Sequence, residues 1–180
     1  MSMVQRAHRP RVGISRCLLG DDVRYDGGHK LEPLLIEGFD DVVEWVPVCP
    51  EVEVGMGVPR EPIHLVSHEG GARLRGVESG RDWTERMQAW ARQRIAEFEA
   101  FRLAGFVLKA RSPSCGVRDV RIQGAGMTEI GRGLFAAMLI ELMPDLPLAD
   151  EEELRDPVAR ASFVNRVYEC QKRQSITPND

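Results

Sequence analysis

A single three-layer α/β domain, with a mainly parallel sheet flanked by helices, is predicted by this sequence on two observations. Short apolar runs of buried-strand type, Arg11–Ser15, Val42–Val48 and Gly105–Lys109, stand apart from stretches with helical spacing. The 180 residues and 20.2 kDa suit one domain, and 43% hydrophobic with 29% charged residues is an ordinary globular composition.

Residues 1–10 read as a flexible lead-in, 11–173 as the single α/β domain and 174–180 as a flexible tail. After the first two strands, Val52–Arg75 is broken by Gly55, Gly57, Pro59 and Pro62 and predicts loop with one or two short strands. Asp82, with Glu85 three residues on, caps a long helix on which Trp83, Met87, Trp90, Ala91, Ile95, Phe98 and Phe101 share an apolar face. The third strand, Gly105–Lys109, leads into a loop through Cys115. A glycine-bearing stretch from Gly124 to Gly133 then opens an apolar helix, Leu134–Met143, closed by Pro144. Pro157 after Asp156 starts a last helix, whose Phe163, Val167 and Cys170 fall on one face, so Cys170 is read as packing.

The formal charge of −4 and pI near 5.7 give no support for general attraction to nucleic acid or to an anionic membrane; a small-molecule partner is expected. No segment approaches the roughly 20 apolar residues of a membrane span, and Met1–Arg11 lacks the apolar stretch of a secretory signal, so the expected location is the cytoplasm. Thiols stay reduced there, which turns four cysteines toward metal binding or catalysis and away from disulfides.

Cys17, Cys49 and Cys115 each follow the carboxyl end of an expected strand, where open α/β sheets place their ligands, and this suggests one shared three-thiolate site. Structural zinc wants four ligands, usually as close cysteine pairs, and no Cys-x-x-Cys occurs. A catalytic zinc with three ligands, His29 or a carboxylate nearby, stays open. Soft thiolates suit a 4Fe-4S cluster better, with one iron left without a protein ligand and free to coordinate a sulfur-bearing substrate.

Five separated stretches carry a resemblance: Val12-Gly13-Ile14-Ser15-Arg16-Cys17-Leu18-Leu19-Gly20, Val23 through Lys30, Val48-Cys49-Pro50-Glu51, Val58-Pro59-Arg60, and Lys109-Ala110-Arg111-Ser112-Pro113-Ser114-Cys115-Gly116. In these the chain resembles the TudS-like thiouracil desulfidase family, the group also called domain of unknown function five-two-three. The resemblance implies a 4Fe-4S cluster on Cys17, Cys49 and Cys115 with an open iron that takes sulfur from a thiolated nucleobase such as 2-thiouracil. It implies Glu51 as the proton-transfer group and Ser112 as a hydrogen-bonding partner at the substrate. The expected activity is a non-redox desulfidation, in which water attacks the thiocarbonyl carbon and hydrosulfide leaves.

Plainer readings stand beside these. Glu51 caps a turn or pairs with Arg60 or Arg111, and Ser112 is a turn residue before Pro113. Arg24, Tyr25, Asp26, His29 and Lys30 either wall the pocket or form a solvated surface turn; His64 and His68 read as exposed or structurally bonded. Gly131-Arg132-Gly133 could present N–H groups to an anion or to cluster sulfides, as helix N-termini do. Gly124-Ala125-Gly126 lacks the third glycine of a dinucleotide fingerprint. Two other function classes are a non-catalytic iron–sulfur or persulfide carrier and a cysteine-nucleophile hydrolase using Cys115 or Cys49 with a histidine.

Overall fold

Strand β1 (Arg11–Ser15) lies between β2 (Glu44–Val48), paired in register from Arg11↔Glu44 to Ser15↔Val48, and β5 (Gly105–Leu108), paired from Val12↔Gly105. β8 (Leu148–Asp150) adds to β5, so the order is β2-β1-β5-β8 with every pair parallel. The structure, a computed structural model, describes residues 9–39 and 41–176. Most of the expected lead-in (1–8) and the end of the expected tail (177–180) lie outside the described residues.

The central strands are buried on both faces, and this is why β1 and β5 appear in the sequence as continuous apolar runs without alternation. On one face, α1 (Pro33–Phe39) and α5 (Pro157–Ile176) cover Val12, Ile14 and Val107 with Phe39, Phe163, Val167 and Cys170. On the other, α3 (Thr84–Ala100) and α4 (Leu134–Leu142) pack Ile95, Phe98, Phe135 and Leu139 against Phe106 and Leu108. The rings of Phe98 and Phe135 meet Phe106 edge-on, with centroids 5.8 and 5.7 Å away.

The expected helix starts hold at both places. Asp82 Oδ1 accepts the Thr84 N–H at 2.9 Å at the head of α3, and Pro157 opens α5. Helix α5 continues through Gln174–Ile176, three residues into the expected tail, because Gln174 Nε2 donates to the Leu103 carbonyl at 2.9 Å and keeps the last turn docked. Among the described residues no helix is long and apolar enough to cross a membrane.

The one or two short strands expected in Val52–Arg75 are β3 (Ile63–Val66) and the start of β4 (Arg73–Gly76), and they belong to a second sheet that the sequence did not announce as such. That sheet has the order β4-β3-β6-β7, completed by β6 (Val120–Gln123) and β7 (Thr128–Gly131). β3 and β6 are parallel; the outer pairs are antiparallel. Its inner face lays Leu65, Leu74 and Val120 on Trp83, just ahead of α3, and on Met87 within it. The glycine-bearing stretch Gly124–Gly133 leads into α4 at Leu134 as expected, and on the way it forms the β6–β7 turn, with Gly126 at φ 91°, and the strand β7. Ile130 in β7 is 64% exposed, so this edge strand shows no apolar periodicity.

Gly13 is the tightest point of the first sheet: a Cβ there would stand 2.3 Å from the Phe106 ring. That ring is wedged between Phe98 and Phe135 and has nowhere to move. Gly13→Ala is therefore expected to destabilise the protein by about 1–3 kcal/mol, read as a lowered urea midpoint at unchanged slope.

Candidate functional site

Three consecutive strands of the parallel sheet, β2, β1 and β5, end side by side, and each continues directly into a cysteine-bearing turn. β1 runs into a 3₁₀ turn, Arg16–Leu19, whose Cys17 carbonyl accepts the N–H groups of Gly20 at 3.4 Å and Lys30 at 2.8 Å. β2 ends at Val48, and Cys49 is the N-cap of the one-turn helix α2 (Pro50–Glu53). Pro50 suits the first position, where no N–H is needed, and Glu53 Oε1 accepts the Cys49 N–H at 3.3 Å. Glu51, in that same turn, is 9% exposed.

The third turn is the most constrained. Ser112 Oγ accepts the N–H groups of Ser114 at 3.2 Å and Cys115 at 3.1 Å, and the Ser112 carbonyl accepts that of Gly116 at 2.8 Å. From the far side the head of α4 grips the same loop: Gly133 N–H donates to the Gly116 carbonyl, Leu134 to Pro113 and Phe135 to Ser114, at 2.8–2.9 Å. The N–H groups expected to face an anion or cluster sulfides are thus spent on loop carbonyls, which corrects the reading of Gly131–Gly133.

Cys17, Cys49 and Cys115 line one cavity of about 380 Å³ together with Glu51, Ser112, Ser15 and Lys109, a size within the ordinary range for small-molecule sites. Arg24, Tyr25 and Lys30 also line it; Asp26 and His29 do not. Asp26 instead accepts the Gly28 N–H at 3.1 Å and pairs with Arg24, while His29 Nδ1 accepts the Leu31 N–H at 3.1 Å. Among the described residues no histidine lines the cavity. His64 sits in β3, and His68 Nδ1 lies 2.6 Å from the Glu69 carbonyl. Cys170 is elsewhere, buried in the α5 face of the core, in keeping with packing.

The plainer reading of Glu51 finds no partner: among the described residues it forms no ion pair with Arg60 or Arg111. Arg60 Nη1 donates to the carbonyls of Val23 and Gly57, each at 2.9 Å, and Arg111 pairs with Glu152. Glu51 Oε2 instead takes the thiol hydrogen of Cys49 at 3.4 Å. Ser112 does hold the turn, as its plainer reading expected, but only through its lone pairs; its own proton stays free to donate.

Burial, and after it the Glu51 charge, pushes the Cys17 thiol up to about 11 and Cys49 up to about 12; the same two causes carry Cys115 well above the ordinary thiol range. Lys109 and Arg24 oppose the effect at Cys17, and Arg60 at Cys49. Such thiols are poor nucleophiles by themselves, which, with no histidine on the wall, works against a cysteine-nucleophile hydrolase. They are good sites for a soft cation, which would supply the positive charge that three converging thiolates require.

Among the described residues no group of three or more His, Cys, Asp and Glu side chains could hold a single metal ion. Three soft thiol side chains on one cavity wall are a donor set of the kind that iron–sulfur clusters take.

Sequence reasoning missed Glu151 and Ser15. Glu151, 4% exposed, accepts the Ala110 N–H at 2.7 Å and pairs with Lys109 Nζ, fixing the start of the Cys115 loop. Its separation in sequence from that loop left no local signal. Gly133→Ala is a sharp test of the loop clamp: a Cβ there would stand 2.5 Å from the Ser114 backbone, which cannot swing aside. The expected outcome is a displaced Cys115 loop, seen as native-state alkylation of Cys115 faster by roughly tenfold, the equivalent of about 1.4 kcal/mol of lost protection.

The chain matches the 2-thiouracil desulfurase family over residues 12–151. It is 30% identical over 151 residues to the uncharacterised protein YbbK of Bacillus subtilis (strain 168), covering 79% of this chain and 97% of that one. It is similar in structure to a 4Fe-4S-dependent thiouracil desulfidase, TudS, with a TM-score of 0.66 and 28% identity over 86% of this chain and 99% of that chain. This chain therefore belongs to the 2-thiouracil desulfurase family.

Proposed function

We propose that this protein is a 4Fe-4S-dependent desulfidase that converts a thiolated nucleobase of the 2-thiouracil type to its carbonyl form and releases hydrosulfide. The observation that carries the reading is the meeting of Cys17, Cys49, Cys115 and Glu51 on one cavity wall. Cys17, Cys49 and Cys115 are the residues that would hold the cluster. When bound, it supplies a Lewis-acidic iron with a coordination position open to the thiocarbonyl sulfur.

The chain's own groups account for the rest of the reaction. Loading the site removes the Cys49 thiol hydrogen, so Glu51 Oε2 loses the donor it now holds at 3.4 Å and becomes a free acceptor. In this reading Glu51 takes a proton from water as the water oxygen attacks the ring carbon. The carbon–sulfur double bond is exchanged for a carbon–oxygen double bond, sulfur departs as hydrosulfide, and no electrons are gained or lost. Ser112, its lone pairs engaged by the Ser114 and Cys115 N–H groups, donates its proton to a polar atom of the base. Tyr25 and Ile63 contribute apolar surface to the cavity wall against which a planar ring can rest. Lys109 and Arg24 hold the cationic side of the site and offset the negative charge of thiolates and carboxylate.

Anaerobic reconstitution with iron and sulfide, followed by incubation with 2-thiouracil, tests this reading. Uracil and sulfide in equal amounts are expected, and no turnover from an iron- and sulfide-loaded protein would leave a carrier. Cys17→Ala, Cys49→Ala and Cys115→Ala should each lose most of the bound iron and all turnover, while Cys170→Ala behaves as the parent. Glu51→Gln should keep the visible spectrum and iron content and lose roughly 10²–10⁴ in kcat, the usual share of one general base. Parent-like kcat in that variant would remove Glu51 from the proton transfer.

A further inference from the structure

We propose that Arg60 sets which base the site accepts: its guanidinium donates a hydrogen bond to the exocyclic carbonyl away from the sulfur. A uracil-type ring then enters ahead of a cytosine-type ring, which carries an amino group in that place. The inference rests on the desulfidase reading above and deepens it, assigning specificity to a residue outside the cysteines, Glu51 and Ser112.

Six cationic side chains line the cavity, and four of them are already held by a carboxylate: Arg16 by Asp21, Arg24 by Asp26, Lys109 by Glu151 and Arg111 by Glu152. That leaves Lys30 and Arg60. Lys30 is exposed, on a stem with many rotamers. Arg60 is half-buried, forms no ion pair among the described residues, and is fixed in place. Its backbone N–H donates to the Tyr25 carbonyl, and its Nη1 donates to the carbonyls of Val23 and Gly57, all at 2.9 Å. These bonds spend both Nη1 hydrogens and set the plane of the fork. The other edge is unspent: Nε is buried without a hydrogen-bond partner, and Nη2 has none among the described residues.

Unspent donors on a partly buried cation are costly, so that edge calls for an acceptor from outside the chain. Its position suits a substrate. The Val23 carbonyl that takes Nη1 also lies 3.9 Å from the Cys49 sulfur, which places the guanidinium beside the cysteine wall and not at the outer mouth. A guanidinium can only donate, and uracil-type and cytosine-type rings differ in this respect: one presents a carbonyl acceptor where the other presents an amino donor. The carbonyl completes the open edge of Arg60. The amino group sets donor against donor and leaves both unpaired. Because the fork is already held in its plane, little ordering is lost when the carbonyl arrives.

Anaerobically reconstituted parent, Arg60→Lys and Arg60→Met are to be compared on 2-thiouracil and 2-thiocytosine, which carry sulfur at the same ring position. In the parent, kcat/KM is expected to favour 2-thiouracil by roughly tenfold to hundredfold, the usual worth of a hydrogen bond to a charged group. Arg60→Met should bring the ratio to within roughly threefold of unity, mainly through a higher KM for 2-thiouracil, and Arg60→Lys, with the charge but not the planar fork, should fall between. A role confined to holding the rim through Val23 and Gly57 would lower kcat/KM for both bases together and leave the ratio as in the parent. Should Arg60→Met not turn over, calorimetric binding of uracil and cytosine to the loaded proteins supplies the same comparison. Parent-like preference in Arg60→Met, or a parent that takes both bases equally, overturns the assignment of Arg60 alone. A parent that binds no iron and sulfide, or that once loaded releases no sulfide from 2-thiouracil, overturns it together with the desulfidase reading.

Discussion

The parallel pairing of β2, β1 and β5 is the constraint on which the site depends. Parallel neighbours end on the same side of a sheet, so residues one or two steps beyond each strand are brought within a few ångströms of one another whatever their separation in sequence. Cys17, Cys49 and Cys115 stand two, one and seven residues past their strands, and the longer third excursion is the one that needs outside support. Ser112 Oγ, the Glu151 carboxylate and the head of α4 provide it through bonds to that loop's backbone. The bonds from the head of α4 are backbone to backbone and cannot relax by rotamer change, and this holds the loop that carries Cys115.

Electrostatics at the strand ends runs against leaving the thiols alone. Three sulfhydryls share a dry wall with a carboxylate, and burial together with that carboxylate holds them protonated. Lys109 and Arg24 oppose this at Cys17 and Arg60 at Cys49, and on the proposed reading a bound metal group would supply the positive charge that deprotonated thiolates need. Glu51 has two faces in this balance. It raises the thiols toward protonation, and it accepts the Cys49 hydrogen, so that on the proposed reading loss of that hydrogen on metal binding would leave Glu51 free to accept another.

What the sequence disclosed divides along physical lines. Buried parallel strands announce themselves as apolar runs, and caps such as Asp82 and Pro157 act through neighbours in the chain, so β1, β2, β5, α3 and α5 were legible. The cysteine turns were legible because a reactive residue type follows each run. Of the second sheet only short strands around β3 and β4 were legible, and their pairing with β6 and β7 was not: all four are four residues long, two of them at sheet edges, and glycine and proline punctuate the stretch before β3. β8 is three residues, too short for any period. Of the polar stretch from Arg24 to Lys30, composition marked a pocket wall, but only folding could separate Tyr25, which faces the cavity, from His29, which serves its own backbone turn.

The second sheet explains why ligands and walls are separate parts of the molecule. Pro62 and Ile63, at the start of β3, close the cavity opposite the strand ends, and Arg60 just before them ties that wall to the other one. Its backbone N–H donates to the Tyr25 carbonyl and its Nη1 to the Val23 carbonyl, each at 2.9 Å, so the loops around residues 25 and 60 move as one rim. The cysteines hang from the parallel sheet, whereas this rim hangs from the mixed sheet and from a loop between β1 and α1. The rim also meets the cysteine turns, since Lys30 N–H donates to the Cys17 carbonyl at 2.8 Å and the Cys49 thiol faces the Val23 carbonyl at 3.9 Å. Tyr25, Pro62 and Ile63 are therefore the wall residues free to change without touching the cysteines, and on the proposed reading they are where substrate choice can drift.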